Sequence, residues 1–205
     1  MVQWIGALSK GIGMRKLIYS MQVSLDGYIE DIRHSLEWHV IDREAITLIN
    51  RQQAEVGAYL WGRRMYENMA AYWPVHGSDP GIPDFIREYA DIFLEIPKVV
   101  FSNTLEKVDW NSRLVRGDAV AEVVRLKAQP GKMLAAGGAG LAADLIRHDL
   151  VDEYQLFIAP VILGGGTPYF PQGHPPLGLS LVETRAFASG VVLLRYTRRR
   201  EEPAG

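Results

Sequence analysis

The stretch LAAGGAGLAADLI, residues 134–146, carries three glycines where an apolar run gives way to a helical pattern. A phosphate group needs room for close approach and free backbone N–H donors. Gly137, Gly138 and Gly140 supply the room, and the helix that follows supplies unpaired donors and the positive end of its dipole. The pattern predicts a strand, a glycine turn and a helix that bind a phosphate. The alternative is a turn whose glycines serve only positive φ or tight packing.

The same stretch fits a loose dinucleotide-binding fingerprint, with Gly138, Gly140 and Ala143 in the pattern G-x-G-x-x-A. Two features argue against a Rossmann domain. The fingerprint normally lies in the first βαβ unit, whereas here most of the chain precedes it. No acidic residue lies about 20 positions on to bind a ribose, since Glu153 comes too early and Glu183 too late. The phosphate site therefore remains a prediction and the Rossmann domain does not.

Composition narrows the class of protein. The chain has 205 residues, of which 48% are hydrophobic and 22% charged, and its net charge is −2. We therefore expect a cytoplasmic protein with a substantial core, a small-molecule substrate, and neither nucleic acid nor membrane as partner. There is no cysteine, which excludes disulfides and cysteine-ligated metals. The five histidines show no ligand spacing, so we predict no metal site.

Apolar strands and amphipathic helices alternate through residue 150, and strands dominate afterwards. This order predicts an α/β fold, a three-layer sandwich with a central, mostly parallel sheet and an antiparallel C-terminal hairpin. We expect residues 14–200 to form one domain, residues 1–13 a loose N-terminal extension and residues 201–205 a tail. The predicted strands are 15–24, 57–62, 98–102, 132–138, 152–163, 179–187 and 191–199; the predicted helices are 42–56, 63–73, 83–93, 118–129 and 139–150.

Two further strand ends carry chemistry that suits an anion. Gly62 ends one buried strand, and Arg63 and Arg64 follow in the first turn of the next helix. Arginine at a positive helix end is unusual unless an anion lies there; the alternative is a solvated arginine pair. Ser102 and Asn103 end another strand, where the alternative is an ordinary turn. In an open α/β sheet these ends gather at the carboxyl edge, where ligands bind.

The order of five motifs is recognisable. MQVSLDGYI, LEW, WGRRMYENM, VVFSNTL and GGAGLAADLIRHDLVDEYQLFIAPVILGGGTPYF follow one another along residues 14–199. Together they resemble the dihydrofolate-reductase-like superfamily. Within it, the chain is most similar to the reductase domain of riboflavin biosynthesis, the RibD C-terminal domain, and its stand-alone relatives. The last motif is the most specific part of the resemblance.

The resemblance implies an NADPH-dependent reductase of a pterin- or ribosylaminopyrimidine-like heterocycle. It implies that Arg63 binds the 2′-phosphate, that the glycine turn follows the pyrophosphate, and that the segment from Gln22 to Asp26 flanks the nicotinamide. It also implies a strained peptide between Gly137 and Gly138, for which a cis bond is one form. The implied cofactor-binding residues are Gln22, Trp38, Gly62, Arg63, Arg64, Met65, Ser102, Asn103, Gly137, Gly138, Ala139, Gly140 and Leu141.

Two carboxylates are candidate catalytic residues for proton transfer, Asp26 and Asp42. Asp26 also reads as a turn former with Gly27, and Asp42 as the N-cap of a helix. True dihydrofolate reductases carry a carboxylate shortly after the tryptophan that Trp38 matches, but Asp42 stands at a different spacing. A water proton donor therefore stays open, and so does a nucleotide-binding protein without turnover.

The C-terminal hairpin also predicts self-association. The strand VVLLRY, residues 191–196, has more consecutive apolar residues than a half-solvated edge strand should show. Either the protein covers its second face from within, or a second copy does. The resembling reductase domains commonly pair, so we expect a homodimer that buries this hairpin or the loop GGGTPYF.

Overall fold

The computed structural model describes residues 14–76 and 79–200, so the expectations for residues 1–13 and 201–205 lie outside the described residues. The strands are β1 (Leu17–Val23), β2 (Tyr28–Glu30), β3 (Val56–Gly62), β4 (Lys98–Phe101), β5 (Ser112–Val115), β6 (Met133–Gly137), β7 (Glu153–Ile158), β8 (Thr167–Pro168), β9 (Leu179–Ala186) and β10 (Val192–Arg198). The helices are α1 (Arg43–Gln53), α2 (Arg63–His76), α3 (Asp84–Glu95), α4 (Ala119–Lys127) and α5 (Ala139–Arg147).

Eight strands form one sheet in the order β5-β4-β3-β6-β1-β7-β10-β9. The first six strands of this order pair in parallel, and β10 runs antiparallel to both of its neighbours. β2 and β8 form a separate two-stranded antiparallel sheet. The predicted mostly parallel sheet with an antiparallel C-terminal hairpin is confirmed.

Helices cover both faces of the large sheet. Because side chains alternate along a strand, β3 sends Leu60 to one face and Trp61 to the other. Leu60 packs in a cluster with Leu126 of α4 and Leu145 of α5. Trp61 packs on the opposite face in a cluster that includes Phe93 of α3. A third cluster, built around Phe157 and Ala45, seats α1 on β7 and β10. The predicted three layers are therefore present.

Short polar side chains start two of the helices where the sequence places them. Asp42 caps α1 by accepting from the Ala45 amide at 2.8 Å. Asp118 caps α4 by accepting from the Ala121 amide at 3.1 Å. Each carboxylate satisfies an N–H group that the helix itself leaves unpaired. These caps fix where two of the chain reversals end and the helices begin.

The strands predicted from the sequence differ from the observed ones in two ways: three short strands were not predicted, and one strand was predicted to be longer than it is. β5, with the sequence SRLV, has only two apolar residues and is held by its pairing with β4. β2 has three residues and β8 has two, and each forms a strand by pairing with the other. β7 ends at Ile158 rather than continuing to residue 163. Strands this short carry little periodicity, because pairing between distant segments is what stabilises them.

The segment between β2 and α1 packs onto the end of β1. The Gln22 amide group donates to the Val40 carbonyl at 3.0 Å and accepts from the Val40 amide at 2.8 Å. Beside Val40, the His39 ring meets the Trp38 ring edge-on at 4.5 Å between centroids. Nε2 of His39 is buried and has no hydrogen-bond partner within the described part of the chain. The ring is therefore held neutral in an apolar setting.

Acid should weaken the fold through His39. Burial lowers the pKa of His39 from 6.5 to about 4. Between these values the unfolded chain binds a proton that the folded protein excludes, so the free energy of unfolding falls as pH drops from 6.5 towards 4. In His39→Leu this contribution is absent. Urea titrations near neutral pH and at about pH 4.5 should show the native protein losing roughly 2 kcal/mol more than the variant. Equal losses in both proteins would contradict the burial of His39.

Candidate functional site

The carboxyl ends of the parallel strands bring the predicted turns together at one edge of the sheet. Trp61 pairs with Gly137 across β3 and β6, and Gly62 pairs with Phe101 across β3 and β4. The turn before α2, the turn after β4 and the glycine turn before α5 are therefore neighbours. The sequence prediction that they gather at this edge is confirmed by the strand order.

Two glycines of the turn, Gly137 and Gly138, pack tightly against side chains of the neighbouring unit, whereas Gly140 faces open space. A Cβ at Gly137 would lie 3.1 Å from both Met65 Cε and Trp61 Nε1, and a Cβ at Gly138 would lie 3.3 Å from Met65 Cβ. Gly138 is the N-cap of α5, no side chain caps the helix, and its first turn holds no acidic residue. A Cβ at Gly140 would meet nothing within 4 Å. The turn thus combines open space with free helix N-terminal donors, which fits a phosphate group.

The resemblance implies a strained Gly137–Gly138 peptide, and its possible cis form does not occur. Throughout the described residues the peptide bonds are trans. The chain reverses instead through Gly138, whose φ of 88° and ψ of 131° suit a residue without a side chain. Positive φ at glycine turns the backbone here without a rare peptide isomer.

Arg63 lies beside the loop that follows β4. Its Nε donates to Glu67 at 2.8 Å, and one terminal nitrogen donates to the Thr104 hydroxyl at 3.0 Å. The side chain remains 51% exposed. A guanidinium has five N–H donors, so the other donors are available to an anion at this end of the edge. Ser102 shapes the loop by accepting from the amides of Thr104 and Leu105.

Sequence reasoning missed the residues that join β5 to this loop. The Arg116 guanidinium donates to the carbonyl groups of Asn103, at 3.2 Å, and Leu105, at 2.6 Å. The Asn103 side chain accepts from the Gly117 amide at 2.8 Å. Arg116 and Gly117 lie between β5 and α4, just as Gly62 and Arg63 lie between β3 and α2, with the order of arginine and glycine reversed. That repetition could have revealed them, had β5 been recognised as a strand.

Arg64 points away from Arg63. Its terminal nitrogen donates at 2.6 Å to Glu30 of β2, and Glu30 is only 6% exposed. Neighbours on a helix point about 100° apart, so the two arginines serve different ends of the edge. The structure places Arg63 against Thr104 in the loop that holds Ser102 and Asn103, at the edge where the sequence predicted these turns to gather, and it pairs Arg64 with a carboxylate that the sequence did not suggest.

The remaining predicted cofactor residues line the same edge with varied exposure. Leu141 is buried, whereas Met65, Ala139 and Trp38 are half-buried. The Trp38 indole donates to the Ser35 carbonyl at 3.2 Å. Gln22 uses its amide group to hold Val40 and thereby positions the segment after β2. Its role at the nicotinamide stays a prediction.

The two candidate acids are both engaged by hydrogen-bond donors. Asp26 is exposed and accepts from the amides of Leu163, at 3.1 Å, and Gly164, at 2.8 Å. The Ser24 hydroxyl, with these amides, holds the pKa of Asp26 below its ordinary value. Burial opposes the charge of Asp42, but the Ala45 amide and the hydroxyl and amide of Ser189 keep the pKa of Asp42 lowered. Both geometries favour the turn and cap interpretations; proton transfer by either stays a hypothesis.

Two cavities lie elsewhere in the described structure, and neither is lined by the glycine turn or by Arg63. One cavity of about 330 Å³ includes Lys16, Lys127 and Glu153, and another of about 390 Å³ includes Lys98 and Trp110. Both lie near the amino ends of the strands, away from the glycine turns. Among residues 14–76 and 79–200, no cluster of three His, Asp or Glu side chains could hold a metal ion. Within the same ranges no helix is long and apolar enough to cross a membrane.

Comparison with known proteins agrees with this geometry. YyaP of Bacillus subtilis (strain 168), an uncharacterized protein, is 31% identical over 192 residues, which cover 92% of this chain and 98% of YyaP. A Shewanella sp. PV-4 protein assigned to riboflavin biosynthesis superimposes with a TM-score of 0.70 at 23% identity, covering 91% of this chain and 100% of that one. Dihydrofolate reductase from Enterococcus faecalis, solved with NADP(H), gives 0.60 at 15% identity over 90% of this chain and 97% of that one.

The two structural likenesses establish the fold, and it is the dihydrofolate-reductase-like fold that the motif order implied. The profile of the RibD C-terminal domain family matches residues 15–193. This range contains β1 to β9, the five helices and every residue of the glycine and arginine turns. With a match across most of its length, and with a reductase-like fold around its glycine edge, this chain belongs to the RibD C-terminal domain family.

Proposed function

We propose that the chain is a cytoplasmic NADPH-dependent reductase of a small heterocycle, either pterin-like or ribosylaminopyrimidine-like. The observation that carries the proposal is the meeting of two strand–turn–helix units at one edge, with Gly137–Gly138 in one and Arg63 in the other. A dinucleotide needs a phosphate cradle and a cationic end a short distance apart, and this edge offers both. Family membership supports the reductase class.

The chain's own residues would hold the cofactor in an extended pose. Arg63, Thr104 and Ser102 form its 2′-phosphate and adenosine end, and the backbone of residues 138–141 forms its pyrophosphate seat. When bound, NADPH supplies a hydride, and the protein supplies orientation and a source of one proton. The segment that Gln22 holds against β1 carries Trp38 to the far end, where the heterocycle would lie.

A second candidate is a nucleotide-binding protein without turnover. It is favoured by the state of Asp26 and Asp42, because each carboxylate accepts from two backbone amides and has a lowered pKa. A reductase on this scaffold would then take its proton from water. Turnover therefore separates the two candidates.

Mixing the protein with NADPH and a panel of pterins and ribosylaminopyrimidines should give oxidation of NADPH for at least one member. The decay of cofactor absorbance measures this, and heat-denatured protein is the control. Tight NADPH binding with no oxidation across the panel would favour the binding protein. Absence of NADPH binding would remove the reductase and any binding protein that takes this dinucleotide.

Arg63→Ala should weaken NADPH binding and leave NADH binding nearly unchanged. A charged hydrogen bond to the 2′-phosphate contributes on the order of 1.5–3 kcal/mol, roughly 10- to 150-fold in Kd. Calorimetric titration of both cofactors measures the difference. Arg147→Ala, which removes an exposed arginine from the end of α5, is the matched control. Equal affinity of the native protein for NADPH and NADH would contradict the assignment of Arg63 to the 2′-phosphate.

We also propose a homodimer, through β9 rather than β10. β10 lies between β7 and β9, and its Leu193 is fully buried against the α1 cluster, so the protein covers this strand from within. β9 is the edge strand and exposes Leu181 (56%) and Val182 (45%). An antiparallel pairing of two copies centred on Thr184 would set Glu183 opposite Arg185, which complements charge.

Light scattering at micromolar concentration should give about twice the chain mass of 22.9 kDa. Leu181→Glu should return a single-chain mass, because it places a charge at an exposed apolar position of the edge strand. Val124→Glu, on an exposed position of α4 (47%), should leave the mass unchanged. A native protein that stays at the single-chain mass on concentration would refute the dimer.

A further inference from the structure

Glu30 is a nearly buried carboxylate that none of the roles above uses. Its side chain is 8% exposed. One oxygen accepts from Arg64 at 2.6 Å, and the other contacts His34 Nδ1 at 3.0 Å and the Thr167 hydroxyl. Buried carboxylates are costly unless they are paired and hydrogen-bonded, and Glu30 has three partners. The three come from different segments.

These contacts connect the small sheet to the first turn of α2. Glu30 ends β2, Thr167 begins β8, and Arg64 is the second residue of α2. A Cβ at Gly166 would overlap the Glu30 carbonyl oxygen, so β8 reaches β2 only because residue 166 is glycine. His34 adopts a φ of 65°, uncommon for a residue with a side chain, at the turn that brings its ring to Glu30. The small sheet is thus fastened to α2 by one carboxylate.

The ion pair between Glu30 and Arg64 spans the carboxyl end of β6. In the large sheet, β6 lies between β3 and β1. Arg64 belongs to the segment that follows β3, and Glu30 to the segment that follows β1. Their ion pair therefore connects the two flanks of the strand that ends in Gly137. Met65, next to Arg64, packs on Gly138 at the same place. An anion at the glycine turn would lie at the end of the strand that this ion pair spans, beside the first turn of α2.

Arg64 can change partners without leaving Glu30 unbonded, but the buried carboxylate would lose its guanidinium partner, and the contact with a phosphate has to offset that loss. Its side chain is 51% exposed and its pairing is with Glu30. If Arg64 turned to an anion, Glu30 would keep His34 and Thr167, so no buried carboxylate would be left without a hydrogen bond. A phosphate offers Arg64 a charge-assisted bond of the same kind that it would give up.

We propose that the Glu30–Arg64 pair is a clasp over the glycine turn that the pyrophosphate of the cofactor opens. This inference rests on the proposed function. Arg64 moves from the Glu30 carboxylate to a phosphate oxygen, and the small sheet of β2 and β8 loses its attachment to α2. Arg64 is then a pyrophosphate ligand, and Glu30 competes with the cofactor for it.

The test compares NADPH with an adenosine bisphosphate that carries the 2′-phosphate but no pyrophosphate. Glu30→Gln keeps the shape of the side chain and one acceptor oxygen for Arg64, and it removes the competing charge. It should tighten NADPH binding about three- to fivefold, the size of a half-exposed ion pair. It should leave the affinity of the adenosine bisphosphate unchanged. Asp144→Asn removes the same charge from an exposed pair at the solvent side of α5 and should change neither affinity.

Arg64→Ala provides a second measurement should the Glu30 variant fail to fold. The clasp requires this variant to bind NADPH more weakly than the native protein and the adenosine bisphosphate equally well. If Glu30→Gln leaves NADPH affinity unchanged or weakens it, Glu30 only orients or supports Arg64, and the clasp is refuted. If NADPH binds equally to the native protein and to Arg64→Ala, the clasp is refuted and the proposed reductase stands. If the native protein binds neither ligand, the proposed function falls and the clasp falls with it.

Discussion

The candidate site depends on close packing between the first turn of α2 and the glycine turn that ends β6, where the Met65 side chain lies on glycine backbone. Met65 of α2 lies against Gly137 and Gly138, and a Cβ at Gly137 would come within 3.1 Å of it. The parallel pairing of Trp61 with Gly137 brings the two strand ends level. A larger residue at 137 would press on the Met65 and Trp61 side chains, which would have to shift by a few tenths of an ångström to admit it. The pairing of β3 with β6 makes the arginine turn and the glycine turn neighbours, and Met65 fills the space between them.

Arg63 and Arg64 are adjacent in sequence, but they contact different parts of the site. The first turn of α2 is fixed in direction by Met65, so Arg63 and Arg64 leave the helix about 100° apart. One reaches Thr104 and the loop after β4, and the other reaches Glu30 above the end of β1. A sequence that reads Arg-Arg thus yields two unrelated electrostatic environments. One is exposed and open to an anion, and the other is already occupied by a nearly buried carboxylate.

The candidate acids illustrate how hydrogen bonding limits chemistry. Asp26 and Asp42 both stand at the start of a chain reversal, where carboxylates accept from backbone amides. Their lowered pKa values follow from those bonds. Glu30 lies deeper than Asp26 in the fold, yet its sequence context, the first of two adjacent acids after Tyr28 and Ile29, carries no signal. Its importance comes from three partners that are distant in sequence.

The sequence by itself determined the alternation of strands and helices, the helix caps at Asp42 and Asp118, and the glycine turn that ends β6. These follow from local rules of periodicity, capping and backbone freedom, which act within about ten residues. Tertiary structure alone decided β5 and the β2–β8 pair, the place of Arg116 beside Asn103, and the pairing of Arg64 with Glu30. Each of these joins segments whose neighbourhood is set by the order of strands in the sheet. A strand of two to four residues gains its stability from the partner strand, and an arginine finds its carboxylate only when the fold brings them together.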